Sequence, residues 1–180
     1  CGGEADGWSE RIRALLDEPA VPVLAPAFNV LFLCQHNSAR SIMAEGLVNL
    51  MGKGRFVAYS AGSQPAGRVN PFAIEQLAKV GYDAGGARSK SWDEFAKADP
   101  LRTEVPPMDF IITVCDNAAS EPCPVWPGHP AVAHWGFADP AAVQGTDEQK
   151  REAFHRVFNE IRQRVNLFLA LPVEKLDHLA

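Results

Sequence analysis

The chain has 180 residues, of which 47% are hydrophobic and 22% are charged, and its net charge is −5. These values are ordinary for one globular domain with a sizeable core. The negative net charge argues against a general binder of nucleic acid or of anionic membranes. No apolar run approaches the roughly 18 residues that a membrane-spanning helix needs.

Residues 1–28 are predicted to be an N-terminal extension or linker. Apolar residues fall on one face of a short amphipathic helix at Trp8, Ile12, Leu15 and Leu16. Three prolines between residues 19 and 26 then favour an extended chain. The helix either packs on the main domain or ends an upstream domain, and we favour the second. Because the chain begins with Cys1 rather than methionine, we expect upstream sequence to be missing; a lipoprotein-type cysteine is less favoured.

The first element of the main domain is a strand. The run from Val30 to Leu33 is rich in strand formers and too brief for a core helix. A helix is predicted over residues 38–51, where apolar residues recur at helical spacings and Ser38 lies near the N-cap. A tight polar loop that begins with Cys34 and ends with Arg40 joins the two elements.

This loop is predicted to bind a tetrahedral oxyanion. A strand-to-helix turn directs backbone N–H groups into one concavity, at the positive end of the helix dipole. Arg40 adds a planar fork of donors. Cys34 would lie at the bottom of the concavity, where we expect the same field to lower its pKa and make it a nucleophilic thiolate. The alternative is an inert buried Cys34 and a solvated Arg40.

The rest of the chain alternates between strands and helices. Strands are predicted at 55–60, 109–115 and 131–135, helices at 70–80, 92–98 and 147–171, and irregular segments at 101–107 and 116–130. This alternation predicts an α/β fold of three layers, with a four-stranded parallel sheet flanked by helices. The domain covers residues 29–172, and a tail follows at 173–180.

Three reactive side chains follow predicted strands. Cys34 and Cys115 end two of them, and Asp139 lies in a loop after the last. Ligands of parallel sheets bind beyond the carboxyl ends of the strands, so we expect these side chains at one edge of the sheet. The four cysteines are too few for a disulfide scaffold and include no CxxC pair, so no metal site is predicted. Reactive thiols suit a reducing compartment, most simply the cytoplasm.

Several motifs carry a resemblance to a known superfamily. Cys34-x5-Arg40-Ser41, with Asp139-Pro140 downstream, resembles the low-molecular-weight tyrosine phosphatases. Other stretches are similar to the thioredoxin-linked bacterial arsenate reductases built on that fold. They are Cys34-Gln-His-Asn-Ser-Ala-Arg-Ser, Tyr59-Ser-Ala-Gly, Arg68-Val-Asn-Pro, Thr113-Val-Cys-Asp-Asn, Cys123-Pro-Val-Trp-Pro-Gly and His134-Trp-Gly-Phe-Ala-Asp-Pro. The similarity covers about residues 29 to 170.

The resemblance implies reduction of arsenate to arsenite, and hence arsenic detoxification, without a cofactor. Cys34 would attack arsenate, with phosphate or sulfate as analogues. The oxyanion would be held by Arg40 and by the loop residues Gln35, His36, Asn37, Ser38 and Ala39. Ser41 would hydrogen-bond the Cys34 thiolate, and Asp139 would act as general acid.

The same resemblance implies a disulfide relay. Cys115 would attack Cys34 and release arsenite, and Cys123 would then attack Cys115. Thioredoxin would reduce the final disulfide. Cys115 and Cys123 are eight residues apart, one more than in the best-known members, so we expect the loop between them to differ in shape. Some related enzymes use glutathione with glutaredoxin, or mycothiol, as the reductant, and the spacing does not decide between these and thioredoxin.

A cation site of some family members is expected to be altered. Asn37, Glu45 and Ser60 match three of its ligands, but the fourth position falls at or near Lys90. We expect the lysine ammonium to replace potassium, with Glu45 as its counter-charge, so that activity is independent of potassium. Within the loop, His36 and Asn37 are expected to brace the backbone, whereas His134 and Trp135 are interpreted as structural.

Two other functions compete with the reductase. A tyrosine phosphatase would use Cys34, Arg40 and Asp139 in the same way. It has no need for two further cysteines, and phosphatases usually place aromatic residues where this chain has Ala141-Ala142-Val143. A non-catalytic oxyanion sensor is the other alternative, but it does not explain an intact set of nucleophile, acid and relay cysteines.

Overall fold

The computed structural model describes residues 27–96, 105–122 and 124–173. Most of the predicted N-terminal extension, Cys123 and nearly all of the predicted tail lie outside these residues.

Strands and helices alternate along the described chain, as the sequence predicts. The strands are β1 (Phe28–Cys34), β2 (Phe56–Gly62), β3 (Phe110–Thr113) and β4 (Ala131–His134). The helices are α1 (Arg40–Met51), α2 (Pro71–Lys79), α3 (Asp93–Ala96), α4 (Asp116–Ser120) and α5 (Asp147–Leu169), with a 3-10 turn at Pro140–Ala142. None of the described helices is both long and apolar enough to cross a membrane.

The sheet has the order β2-β1-β3-β4, and every neighbouring pair is parallel. This confirms the predicted four-stranded parallel sheet. Cys34 pairs with Gly62, and Thr113 pairs with both Leu33 and His134. The carboxyl ends of all four strands therefore meet at one edge, where the functional loops begin.

Two hydrophobic clusters cover the two faces of the sheet and make the fold three-layered. Val30 and Phe32 of β1 belong to the larger cluster with the buried faces of α1, α2 and α5. Leu31 and Leu33 point to the opposite face, where they pack with Trp126. Because alternate residues of β1 face opposite layers, this strand is buried and apolar from Val30 to Cys34, as expected for a central parallel strand.

The N-cap positions of α2 and α1 show where each helix begins. Asn70 accepts a hydrogen bond from the N–H of Phe72 (3.0 Å) and precedes Pro71, which confirms the predicted start of α2. The predicted start of α1 at Ser38 is wrong, because residues 35–39 form the loop and Ala39 occupies the cap position. No side chain in the described parts of the chain caps the first turn of α1.

The structure has a short helix, α4, in the segment 116–130, which the sequence analysis predicted to be irregular. The Cys115 sulfur accepts a hydrogen bond from the N–H of Ala118 (3.4 Å) and so caps α4. Other boundaries differ by a few residues: β2 runs on to Gly62, β3 stops at Thr113 and α5 ends at Leu169. The predicted helix 92–98 is seen as α3, and its last two residues lie outside the described part of the chain.

Candidate active site

The loop between β1 and α1 presents its N–H groups to one side. The carbonyl oxygens of Gln35, His36 and Ser38 accept hydrogen bonds from the N–H groups of residues 64, 66 and 70, at 2.8–2.9 Å. A trans peptide points its N–H opposite to its carbonyl, so the N–H groups that follow these carbonyls face the other way. The N–H of Asn37 does so and donates to the Cys34 sulfur at 3.2 Å. Together with the uncapped first turn of α1, these groups form an anion-binding concavity.

Close packing of the loop on β2 depends on Gly62. A Cβ at this position would lie 2.5 Å from the carbonyl oxygen of Gln35 and 3.0 Å from the N–H nitrogen of Asn37. Any other residue would therefore displace the loop backbone. Asn37 itself has φ of 46°, a left-handed conformation that asparagine tolerates better than most residues.

Cys34 lies at the bottom of the concavity and is buried. Its sulfur is 2.9 Å from the hydroxyl oxygen of Ser41. Burial is the largest influence on this thiol and raises its pKa, whereas the hydrogen bonds from Ser41 and Asn37 act in the opposite direction. The expected lowering of the Cys34 pKa is therefore wrong for this arrangement, because loss of hydration outweighs the donors.

Asn37 connects Cys34 to a buried polar network. Its amide nitrogen donates to the hydroxyls of Ser41 and Ser60, both at 2.9 Å, and its amide oxygen accepts from the backbone N–H of Lys90 at 2.9 Å. Because Ser41 accepts this bond, its own proton is available for the Cys34 sulfur. Ser60 in turn donates to Glu45.

Glu45 and Lys90 lie at the far end of this network. The Lys90 ammonium is 3.9 Å from a Glu45 carboxylate oxygen and donates to the carbonyl of Arg88 at 3.3 Å. Burial raises the pKa of Glu45 and lowers that of Lys90, and the attraction between the two charges opposes both shifts. The structure thus brings together Asn37, Glu45, Ser60 and Lys90, the residues that the sequence analysis assigned to the altered cation site.

Arg40 and Asp139 meet above the concavity. A guanidinium nitrogen of Arg40 is 3.4 Å from an Asp139 carboxylate oxygen, and another donates to the carbonyl of Phe137 at 3.0 Å. The second Asp139 oxygen accepts from the N–H of Ala141 at 3.1 Å and so caps the 3-10 turn. These contacts place the predicted acid beside the predicted oxyanion ligand.

Cys115 is buried at the same edge of the sheet. Its sulfur accepts from the N–H of Gln35 at 3.3 Å, so it touches the residue that follows Cys34. It lies close enough to Cys34 to add to the rise in the pKa of that thiol. Cys123, the third predicted relay cysteine, lies outside the described residues.

Two residues near Cys115 were not identified from the sequence as functional. Asp116 contacts His134 at 3.0 Å, and Asn117 donates to the side chain of Gln35 at 3.1 Å. Asp116 and His134 are far apart in sequence and meet through the register of β3 and β4. Two signals were available: Asp116 and Asn117 directly follow a strand that ends near a reactive cysteine, and they belong to the motif Thr113-Val-Cys-Asp-Asn.

Comparisons with known proteins agree with this geometry. The family described as low molecular weight phosphotyrosine protein phosphatase matches residues 29–178. The arsenate reductase of Bacillus subtilis is 39% identical over 139 residues, which cover 77% of this chain and 93% of that protein. That of Staphylococcus aureus is 36% identical with similar coverage.

Solved structures show the same relationship. An arsenate reductase from Archaeoglobus fulgidus superposes with a TM-score of 0.59 at 34% identity, covering 79% of this chain and 99% of that one. A thioredoxin-dependent arsenate reductase from Corynebacterium glutamicum gives 0.52 at 25% identity, with 90% of this chain and 73% of that one covered. The chain therefore belongs to the low molecular weight phosphotyrosine protein phosphatase family and groups there with the arsenate reductases.

Proposed function

We propose that this protein is an arsenate reductase that converts arsenate to arsenite with its own thiols. The observation that supports this most is the pairing of two buried thiols at one oxyanion loop. Cys34 lies at its base, and the Cys115 sulfur touches the backbone of Gln35. A phosphatase needs the first of these thiols but not the second. Relatives that are 36–39% identical are named arsenate reductases.

The first step is formation of an arsenate–thiol adduct. The loop N–H groups and Arg40 hold the oxyanion, and Arg40 exchanges its contact with Asp139 for substrate oxygens. Because burial favours the protonated thiol, Cys34 gives up its proton as arsenate enters, and the arsenate dianion is the available base. The sulfur–arsenic bond forms as an arsenic–oxygen bond breaks. Asp139 delivers a proton, taken from solvent, to the departing oxygen, which leaves as water.

The second step is the reduction itself. The Cys115 sulfur attacks the Cys34 sulfur and its proton passes to an arsenic-bound oxygen, while the sulfur–arsenic bond breaks and arsenic keeps that electron pair. Arsenic is reduced from the +5 to the +3 state, and two thiols are oxidised to one Cys34–Cys115 disulfide. Arsenite then leaves the loop with protons from solvent.

Regeneration requires a further thiol. We assign this role to Cys123, which would attack Cys115 and pass the disulfide to thioredoxin. The dependence of the Corynebacterium relative on thioredoxin supports this partner. Glutathione with glutaredoxin is the alternative. A reducing thiol system also supports a cytoplasmic location.

The cation function is assigned to Lys90. Its ammonium faces Glu45, and its backbone N–H holds the amide of Asn37. A positive charge fixed at this point keeps the Glu45–Ser60–Asn37 network in place without a bound ion.

A single-turnover experiment separates the reductase from the phosphatase. Reduced wild-type protein, mixed with arsenate in the absence of another reductant, is expected to release one arsenite per chain. Cys115→Ser is expected to release none but to hydrolyse small aryl phosphates, since Cys34, Arg40 and Asp139 are intact. Cys34→Ser is expected to lose both activities. Arsenite release by Cys115→Ser would contradict the assignment.

A further inference from the structure

Three side chains form a hydrogen-bonded row beside Cys115. The Thr113 hydroxyl is 2.8 Å from Nδ1 of His134, and Nε2 of His134 is 3.0 Å from a carboxylate oxygen of Asp116. Thr113 and His134 are paired ends of neighbouring strands, β3 and β4. Asp116 is the first residue of α4 and directly follows Cys115. The row therefore ties α4 to the rigid sheet.

Both nitrogens of the imidazole are held. A carboxylate can only accept, so His134 donates from Nε2 to Asp116. Thr113 then donates to Nδ1 of the neutral ring, or accepts from it when the ring is charged. The ring is fixed between a buried hydroxyl of the sheet and a carboxylate on α4.

Gly136 provides the space for this contact. A Cβ at position 136 would lie 3.1 Å from the Asp116 oxygen and 3.3 Å from Nε2 of His134. A larger residue would push these two atoms apart.

Helix α4 contacts the sulfur of Cys115. The residue is 2% exposed, and its sulfur accepts from the N–H of Ala118 in α4, so movement of α4 would uncover one side of the sulfur for an incoming thiol. A helix of five residues has no intrinsic stability and depends on its contacts. The described polar contacts that hold it to the rest of the protein are the Cys115 cap, Asn117 with Gln35, and Asp116 with His134.

Oxidation of Cys115 to a disulfide weakens one of the contacts that hold α4. When the Cys115 sulfur becomes part of a disulfide, it is a poorer acceptor for the N–H of Ala118. The contact between Asp116 and His134 does not involve this sulfur, so we expect it to persist after oxidation.

We propose that His134 and Asp116 form a latch on α4, and that opening of this latch controls the access of a second thiol to Cys115. His134 acts as a positioning residue through Asp116 and does not touch the reacting atoms. The role of the latch in turnover rests on the proposed function, whereas its effect on exposure of Cys115 does not.

The test is the alkylation rate of Cys115 in the reduced full-length protein. N-ethylmaleimide is the probe, and the modified peptide that contains Cys115 is measured by mass spectrometry, separately from that of Cys34. The His134 side chain is 41% exposed and that of Asp116 is 87% exposed. An exposed contact of this kind contributes up to about 1 kcal/mol, which is roughly 5-fold in an opening equilibrium. His134→Ala and Asp116→Ala, which each remove the hydrogen bond, are expected to raise the rate about 3- to 5-fold.

Matched variants separate the latch from a general loss of stability. Asp93→Asn removes the exposed first carboxylate of another short helix, α3, and is expected to leave the rate unchanged. His134→Gln keeps an amide donor for Asp116 and is expected to restore a rate within about 2-fold of wild type. The double variant His134→Ala/Asp116→Ala is expected to match the single variants, because each single variant already removes the same contact.

The outcomes have distinct meanings. Because the Asp116 side chain is 87% exposed, its truncation to alanine is the change least able to disturb folding. If Cys115 in Asp116→Ala is alkylated at the wild-type rate, the latch is refuted. Equal labelling of His134→Ala and His134→Gln above wild type would also refute it, since that indicates lost packing. Faster labelling in a protein that does not reduce arsenate would keep the latch and reject the proposed function.

Discussion

Replacement of Asn37 by alanine tests the buried network that supports Cys34. The side chain is fully buried, donates to Ser41 and Ser60 and accepts from the backbone of Lys90. Each such bond contributes about 1 kcal/mol net, so three bonds contribute about 3 kcal/mol. Alanine at φ of 46° adds a backbone penalty of about 1 kcal/mol.

The expected loss in the free energy of unfolding is therefore about 4 kcal/mol for Asn37→Ala. Asn37→Gly loses the same bonds but tolerates the left-handed conformation, so it should be more stable than the alanine variant by about 1 kcal/mol. At a position within a helix or strand, the alanine variant would instead be more stable than the glycine variant. Urea unfolding, followed by tryptophan fluorescence, measures both variants.

Asn49→Ala is the matched control. Asn49 also makes two hydrogen bonds, both to the backbone of Ala58, but it lies outside the loop network. It should lose about 1–2 kcal/mol and keep normal reactivity of Cys34. A loss below about 1 kcal/mol for Asn37→Ala, or an alanine variant more stable than the glycine variant, would refute the reasoning.

Three further predictions concern the ionisable groups. Wild-type activity and melting temperature should be the same in potassium and sodium salts. Lys90→Ala removes the ammonium that faces Glu45, so it should lower the melting temperature. Potassium should raise the melting temperature of this variant more than that of the exposed-site control Lys53→Ala. A several-fold gain of wild type with potassium would contradict this. Because burial raises the pKa of Cys34, iodoacetamide should label this thiol more slowly at pH 7 than a free thiol, and the labelling rate should still rise above pH 9. Fast labelling at neutral pH would contradict this, since it would show that the hydrogen bonds to the sulfur outweigh the effect of burial. The raised pKa also means that the contribution of Cys34 to stability is complete below the pKa of the unfolded thiol and is lost as pH rises through the folded value. Cys123→Ser should complete one turnover but not repeated turnover with thioredoxin, and full repeated turnover would remove Cys123 from the relay.

The architecture could be predicted because its signals are local. The apolar run in β1 and the three- and four-residue spacing in α5 depend on short stretches of sequence, as does the Asn70-Pro71 start of α2. The start of α1 was missed because the backbone of Ser38 bonds to residue 70, so it belongs to the loop. Helix α4 was missed because a cysteine sulfur caps it, which is not a usual cap.

The candidate site likewise has features that the sequence predicts and features that depend on tertiary packing. Cys34, Cys115 and Asp139 could be placed together because each lies at or after the carboxyl end of a strand, and Arg40 joins them because it ends the loop that begins with Cys34. The pKa of Cys34 could not be predicted, since the extent of its burial depends on packing across the whole sheet edge. The contact of Asp116 with His134 depends on the register of β3 with β4, which no local pattern specifies.

The central claim is arsenate reduction through a thiol relay, and one coupled assay tests it most directly. Arsenate-dependent oxidation of NADPH is measured with thioredoxin and thioredoxin reductase, and in parallel with glutathione, glutaredoxin and glutathione reductase. Turnover with thioredoxin is the predicted result. Turnover with the glutathione system alone would keep the chemistry at Cys34 and reassign Cys123. No turnover in either system, with aryl phosphate hydrolysis intact, would contradict the account and identify the protein as a phosphatase.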